Sequence, residues 1–180
     1  MPVFITGNQS KADLLAKYLG INLEHQKVEL NEIQSLDPRV VIDHKVRQAY
    51  AVVQKPVLVE DTSLEFTSLG RFPGTFIKHF VDETPLETIC RTLDSVGREA
   101  KAGCIFGYFD GETVSYIEGE QIGIIAEHPR GDGGFGWDKI FIPAGATRTR
   151  AEMDEQEYQT SYTSVKPFAK LREFLTSINT

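Results

Sequence analysis

The order of apolar runs and helix-period segments predicts an α/β fold: a mixed β-sheet with flanking helices. Two observations carry this reading. The first sixty residues alternate short strand-like runs with amphipathic stretches, and the second half holds two long strand-like runs joined by Asp110-Gly111, a hairpin signal. Val3-Phe4-Ile5 is a short buried strand entering Thr6-Gly7-Asn8. Ser10 is then placed to cap a helix whose Leu14, Leu15 and Leu19 keep helical spacing until Gly20 stops it. After a strand over His25 to Leu30, Asp37 and Pro38 read as N-cap and first helical position. That helix runs through Val41, Val46, Ala49 and Val53 to Lys55. Pro56 to Val59 is the next strand, which completes β-α-β-α-β.

Thr84-Pro85 opens a helix through Leu86, Ile89 and Leu93, and the strands Ala100 to Phe109 and Thr113 to Ile125 follow. Lys139 to Pro143 looks like a short strand stopped by proline. Pro167 sits in the first turn of a last helix carrying Phe168, Leu171, Phe174, Leu175 and Ile178. With 180 residues, no repeats and no Pro/Ser-rich linker, the chain reads as one domain, 1–180, with any cleft inside it. A net charge of −7 without a long Lys/Arg run argues against binding a nucleic-acid polymer. Neither a signal segment nor a membrane-length apolar run is seen, so a cytoplasmic location and no membrane partner are expected. Cys90 and Cys104 lack CxxC spacing and read as reduced core thiols.

Four loops hold the chemistry. In Thr6-Gly7-Asn8-Gln9-Ser10-Lys11 a strand turns into a helix, whose N-terminal N–H groups, together with Lys11, suit an anion; a plain Gly-Asn turn has the same composition. Asn31-Glu32-Ile33-Gln34 leads towards the helix carrying Lys45, and Glu32 taken alone reads as a solvated loop residue. At Val59-Glu60-Asp61-Thr62-Ser63 an apolar run gives way to two carboxylates and two hydroxyls, a composition suited equally to a divalent metal and to a cap or solvated turn. Gly131-Asp132-Gly133-Gly134-Phe135-Gly136-Trp137-Asp138 contains GxGxxG, but the strand-like run after it excludes a dinucleotide site. Its glycines suggest a flexible loop presenting Phe135 and Trp137, with Asp138 placed to accept from a base or bind a basic partner, while Trp137 reads equally well as a core residue.

Taken in order, these loops resemble the inosine/xanthosine triphosphate pyrophosphatase family. The motifs are Thr6-Gly7-Asn8 with Lys11, Glu32-Ile33-Gln34, Val57 to Thr62, Phe72-Pro73-Gly74 with Lys78, Phe135-Gly136-Trp137-Asp138, and Ala151-Glu152-Met153. The resemblance implies an elongated mixed sheet in two lobes around a central cleft, a homodimer, Mg²⁺, and hydrolysis of deaminated purine nucleoside triphosphates to monophosphate and pyrophosphate. By the same resemblance Thr6, Asn8 and Lys11 hold the triphosphate, and Lys45 and Lys78 neutralise phosphate charge. Glu32, Glu60 and Asp61 serve the metal and the attacking water, with Asp61 as the base. Thr62 lies beside them, and Phe135, Trp137 and Asp138 flank the nucleotide base.

One motif departs from the pattern. The family's Ser-His-Arg before the last helix, preceded by a Lys, is matched here by Ser164-Val165-Lys166, with Thr160 at the preceding Lys position. Val has no hydrogen-bonding ring and Lys no planar fork, so Ser164 and Lys166 remain as candidates for base contact with altered selectivity. Two alternatives stay open: a pyrophosphatase for a different base, and a nucleotide-binding protein that has lost turnover.

Overall fold

The computed structural model describes residues 1–21 and 23–178. The elements are β1 (Val3–Ile5), α1 (Gln9–Leu19), β2 (His25–Gln26), α2 (Pro38–Val53), β3 (Val57–Phe66), β4 (Pro73–Gly74), α3 (Ile77–Glu83), α4 (Leu86–Arg91), β5 (Glu99–Phe109), β6 (Val114–Ile125), β7 (Phe141–Pro143), α5 (Glu155–Val165) and α6 (Phe168–Ser177). Among the described residues seven strands join one sheet in the order β2-β1-β3-β5-β6-β7, with β4 paired to β3 off this path. β1 runs parallel to β2 and β3, whereas β3–β4 and β6–β7 are antiparallel, so the sheet is mixed as the sequence predicts. No helix among the described residues is long and apolar enough to cross a membrane.

The chain forms two compact units, each built from separate stretches of sequence. The first comprises Met1–Asp61, Cys104–Glu118 and Pro167–Thr180. Strand residues in it alternate between two faces. Val3, Ile5, Val57, Val59, Ile105 and Phe109 form a core with Ile42, Val46 and Ala49 of α2. The other face is aromatic: Phe4 packs on Phe106, Phe106 on Phe168 of α6, and Phe168 stacks on Tyr18 of α1 at 4.8 Å. Asp37 caps α2 through Arg39 N at 3.0 Å, with Pro38 at the start of the helix, as expected.

The second unit comprises Thr62–Gly103 and Gly119–Lys166. Leu64, Phe66, Ile77, Ile89, Leu93, Ala102, Ile125 and Phe141 are buried in it. Arg98 ties its strands to α4 by donating to Cys90 O at 3.2 Å and Ala126 O at 2.9 Å. Cys90 and Cys104 are both buried and form no disulfide, and burial pushes the Cys90 thiol up to about 11.

Several elements differ from the sequence reading. α1 is capped by Asn8, not Ser10, because the Asn8 side chain reaches Lys11 N at 3.2 Å. The strand expected over His25 to Leu30 pairs only at His25 and Gln26, while Val28 and Leu30 pack against the core without a ladder. β3 does not stop at Val59 but continues to Phe66, since Ser63, Leu64 and Phe66 are buried beyond the polar residues. The helices α3 and α5 were not foreseen.

Candidate active site

In the first unit the extension of β3 decides how the carboxylates are presented. Side chains alternate along a strand, so Asp61 shares the α2 face with Val57 and Val59, while Glu60 lies on the opposite face with Leu58. Each carboxylate meets its own lysine. Lys45 of α2 places Nζ 3.6 Å from Asp61 Oδ2 and 2.8 Å from Glu32 Oε1, with its side chain only 10% exposed. Lys11, in the first turn of α1, lies 3.5 Å from Glu60 Oε1.

The loop carrying Glu32 is held by a residue that sequence reasoning missed. Gln48 lies three positions beyond Lys45 and so on nearly the same side of α2. Its Oε1 accepts from Asn31 N at 3.0 Å and its Nε2 donates to Asn31 O at 2.9 Å. This two-bond clamp on the backbone fixes the position of the neighbouring Glu32. At the other loop, Thr6 Oγ1 accepts from Asn8 N at 3.1 Å while Asn8 caps Lys11 N. These oxygens shape the turn, and the Thr6 hydroxyl hydrogen and the Asn8 side-chain NH₂ can reach an anion.

The donor set is one that a hard cation takes, since all three acidic groups offer oxygen. They do not, however, form the single cluster that the adjacency of Glu60 and Asp61 suggests. Among the described residues no three acidic, His or Cys side chains converge to hold a metal ion. Glu32 and Asp61 converge on Lys45, and Glu60 is turned to Lys11.

In the second unit the glycine loop is pinned rather than loose. Phe135 stands 64% exposed before a 3₁₀ turn, Gly136–Lys139. Asp138, expected to accept from a base or bind a basic partner, is 3% exposed, and its basic partner is Arg150 of the same chain. Its Oδ2 accepts from Phe135 N at 3.0 Å and from Tyr158 Oη at 2.9 Å, and its Oδ1 lies 3.7 Å from the buried Arg150. Burial and the Asp138 charge raise the Tyr158 phenol above its ordinary value, while burial lowers that of Arg150. The Arg150 guanidinium also lies over the rings of Trp137 and Phe141, at 5.0 and 4.8 Å, and donates to Ser161 Oγ at 3.0 Å. Trp137 thus packs inward, edge-on to Phe141.

The helix α5 separates the expected base readers. Ser164 turns back on its own helix, donating to Ser161 O at 2.7 Å, and with Thr160 and Gln156 it lines a hollow of about 650 Å³ against residues 144–148. The nearly opposite face carries Tyr158 and Tyr162 towards Asp138 and Phe135. Val165 is 4% exposed, and Lys166, 6% exposed, holds its ammonium 5.1 Å from the Tyr162 ring centre. Lys78 is exposed on α3, and Thr62 is partly buried on β3. Arg150, Tyr158 and Tyr162 were missed. A signal existed for the tyrosines: Asp154 and Glu157 form a capping box that marks the start of α5.

The Ham1 family model matches residues 2–174. The chain is 38% identical over 183 residues to the inosine triphosphate pyrophosphatase of Batrachochytrium dendrobatidis, an alignment covering 97% of this chain and 94% of that protein. To the protein of the same name from Schizosaccharomyces pombe it is 35% identical over 180 residues, covering 97% and 95%. Its backbone matches the structure of the Staphylococcus aureus Ham1 protein with a TM-score of 0.84 at 20% identity, over 98% of this chain and 99% of that one, a likeness of fold. On the match of nearly the whole chain, it belongs to the Ham1 family.

Proposed function

We propose that this chain is a nucleoside triphosphate pyrophosphatase, which hydrolyses deaminated purine nucleotides such as ITP, dITP and XTP to the nucleoside monophosphate and pyrophosphate. Its full-length relatives bear the name inosine triphosphate pyrophosphatase, and the observation that carries the reading is Lys45 flanked by Asp61 and Glu32. Water attack at the α-phosphorus breaks the α–β anhydride and releases pyrophosphate, whose developing charge needs cations nearby. Lys11 and Lys45 supply positive charge, and the lysine held by carboxylates in the free protein turns to phosphate when substrate arrives. Asp61 takes the proton of the attacking water, and Glu32 holds Lys45 in place. Asp61 and Glu32, which converge on Lys45, are the carboxylates that would hold Mg²⁺, and the ion would neutralise phosphate charge and polarise the reacting group, while Glu60 stays with Lys11. A cytoplasmic homodimer is part of the same reading.

Selectivity for another base is the second reading. The observation favouring it is the stretch matched to the base-reading motif: Ser164 bonds its own helix, Val165 is buried, and Lys166 lies against Tyr162.

A panel of nucleoside triphosphates with Mg²⁺, scored for pyrophosphate against orthophosphate, tests the reaction. Pyrophosphate should be the first product, and Asp61→Asn should lose roughly 10²-fold or more in rate while keeping the fold. Orthophosphate as first product, or a normal rate in Asp61→Asn, would sink the mechanism.

A further inference from the structure

The side of α2 that carries Lys45 also carries His44 and, one turn on, Gln48. Gln48 makes its two hydrogen bonds with the backbone of Asn31, and these settle which way its amide points. Asn31 N can only donate and Asn31 O can only accept, so Gln48 Oε1 faces the first, at 3.0 Å, and Nε2 faces the second, at 2.9 Å. A turned amide would set oxygen against oxygen and hydrogen against hydrogen. The other hydrogen of Nε2 is left for His44 Nδ1, 2.8 Å away. The carbonyl oxygen of His44, at 3.5 Å, is a poorer acceptor that already serves the helix ladder. Nδ1 therefore offers a lone pair, and the proton of the neutral ring sits on Nε2. The tautomer of His44 is thus set, through Gln48, by the backbone of a loop far away in sequence.

We propose that His44 is a positioning residue for the reaction: by accepting from Gln48 it completes the clamp on the Glu32 loop, and so governs how Lys45 is shared between its two carboxylates. This rests on the pyrophosphatase reaction proposed above. Glu32 lies 2.8 Å from the Lys45 ammonium and Asp61 3.6 Å from it. Glu32 belongs to a loop and its side chain is more than half exposed, so the backbone clamp beside it, at Asn31, is what keeps it on the lysine. With the loop released, the ammonium is left to Asp61 alone. A cation that closes on Asp61 favours the charged carboxylate and makes it a poorer base for the attacking water. Lys11 and Lys45 keep their charges, so the loss falls on kcat and spares KM.

Nitrogen NMR of the neutral His44 ring in the wild-type chain, amide hydrogen exchange, and kinetics of His44→Leu and His44→Asn test this. The ring spectrum should show Nδ1 without a proton. In His44→Leu the Asn31 amide, corrected for its intrinsic rate, should exchange about 10-fold faster, while the amides of β1 and of α2 exchange as in wild type. With Mg²⁺ and the best nucleoside triphosphate of the panel, kcat of His44→Leu should fall about 10-fold and KM should stay within about twofold. His44→Asn carries Oδ1 as many bonds from the backbone as Nδ1, and should bring both exchange and kcat back to within about threefold of wild type. The assignment is overturned if Nδ1 carries the proton, if Asn31 stays protected in His44→Leu, or if His44→Asn fails as badly as His44→Leu. Protection lost equally throughout β1 and α2 would make the ring a packing residue and overturn it too. A wild-type chain that releases no pyrophosphate overturns the proposed reaction, whereas pyrophosphate release at full kcat in His44→Leu overturns this assignment alone.

Discussion

Replacing Lys45 by Met removes one charge and keeps the length of the side chain, so it isolates what the ammonium does. Nζ lies 3.6 Å from Asp61 and 2.8 Å from Glu32. A pair at such a distance carries about 4 kcal/mol of Coulomb energy at an effective dielectric near 20. Most of that is offset, because an ammonium in a side chain only 10% exposed has lost several kcal/mol of hydration. Glu32, 56% exposed, adds at most about 1 kcal/mol. The net stabilisation is therefore about 1–2 kcal/mol, and the melting temperature of Lys45→Met should fall by roughly 2–8 °C. Binding should suffer more. A lost charge-assisted contact to phosphate is worth about 1.5–3 kcal/mol, or roughly 10–150-fold in affinity for tripolyphosphate. Mg²⁺ alone should bind Lys45→Met more tightly than wild type, since the cation and the lysine compete for the oxygens of Asp61 and Glu32. Calorimetry with tripolyphosphate and with Mg²⁺, beside a melting curve, measures all three. Unchanged affinity for both ligands together with a large drop in melting temperature would place Lys45 in the scaffold alone.

Gly134 has φ of +66°, and a Cβ there would meet Asp138 Cβ at 2.7 Å, so Gly134→Ala should cost about 2 kcal/mol or more, read from urea midpoints. A midpoint equal to wild type would show that the loop tolerates release of Asp138. Folding raises the Tyr158 phenol, so the native state holds that proton more tightly than the unfolded chain. Its contribution is complete below the unfolded value of about 10 and is lost as the pH rises past it. Tyr158→Phe should therefore start less stable by about 1 kcal/mol and decline less steeply in alkali. Parallel declines for the two proteins would refute the link.

Most of the sheet and the helices α1, α2, α4 and α6 were legible because local patterns and tertiary burial agree: Asp37-Pro38 caps α2, and Asp110-Gly111 joins β5 to β6. The lysines and carboxylates of the first unit were legible as motifs, but their pairing was not. Adjacency in sequence suggested that Glu60 and Asp61 act together, and only the continuation of β3 to Phe66 puts them on opposite faces. Asp138 looked available because nothing local reveals that Arg150 and Tyr158, distant in sequence, claim its oxygens. α5 escaped notice because it buries little, with Ser161 and Val165 its buried residues. Gln48 reads as an ordinary polar helix residue until the loop it holds is seen in space.

The alternation of β3 acts as a safeguard against faulty copies of the enzyme. The hydrophobic seating of Val57 and Val59 beneath α2 and the meeting of Asp61 with Lys45 depend on the same register. A slip of one residue would send both valines to the wrong side and exchange the carboxylates in one movement. A molecule that is well folded yet slipped in register at this strand is therefore disfavoured: such a slip unseats the valines as it displaces Asp61, and it ends in unfolding, which cellular proteolysis detects.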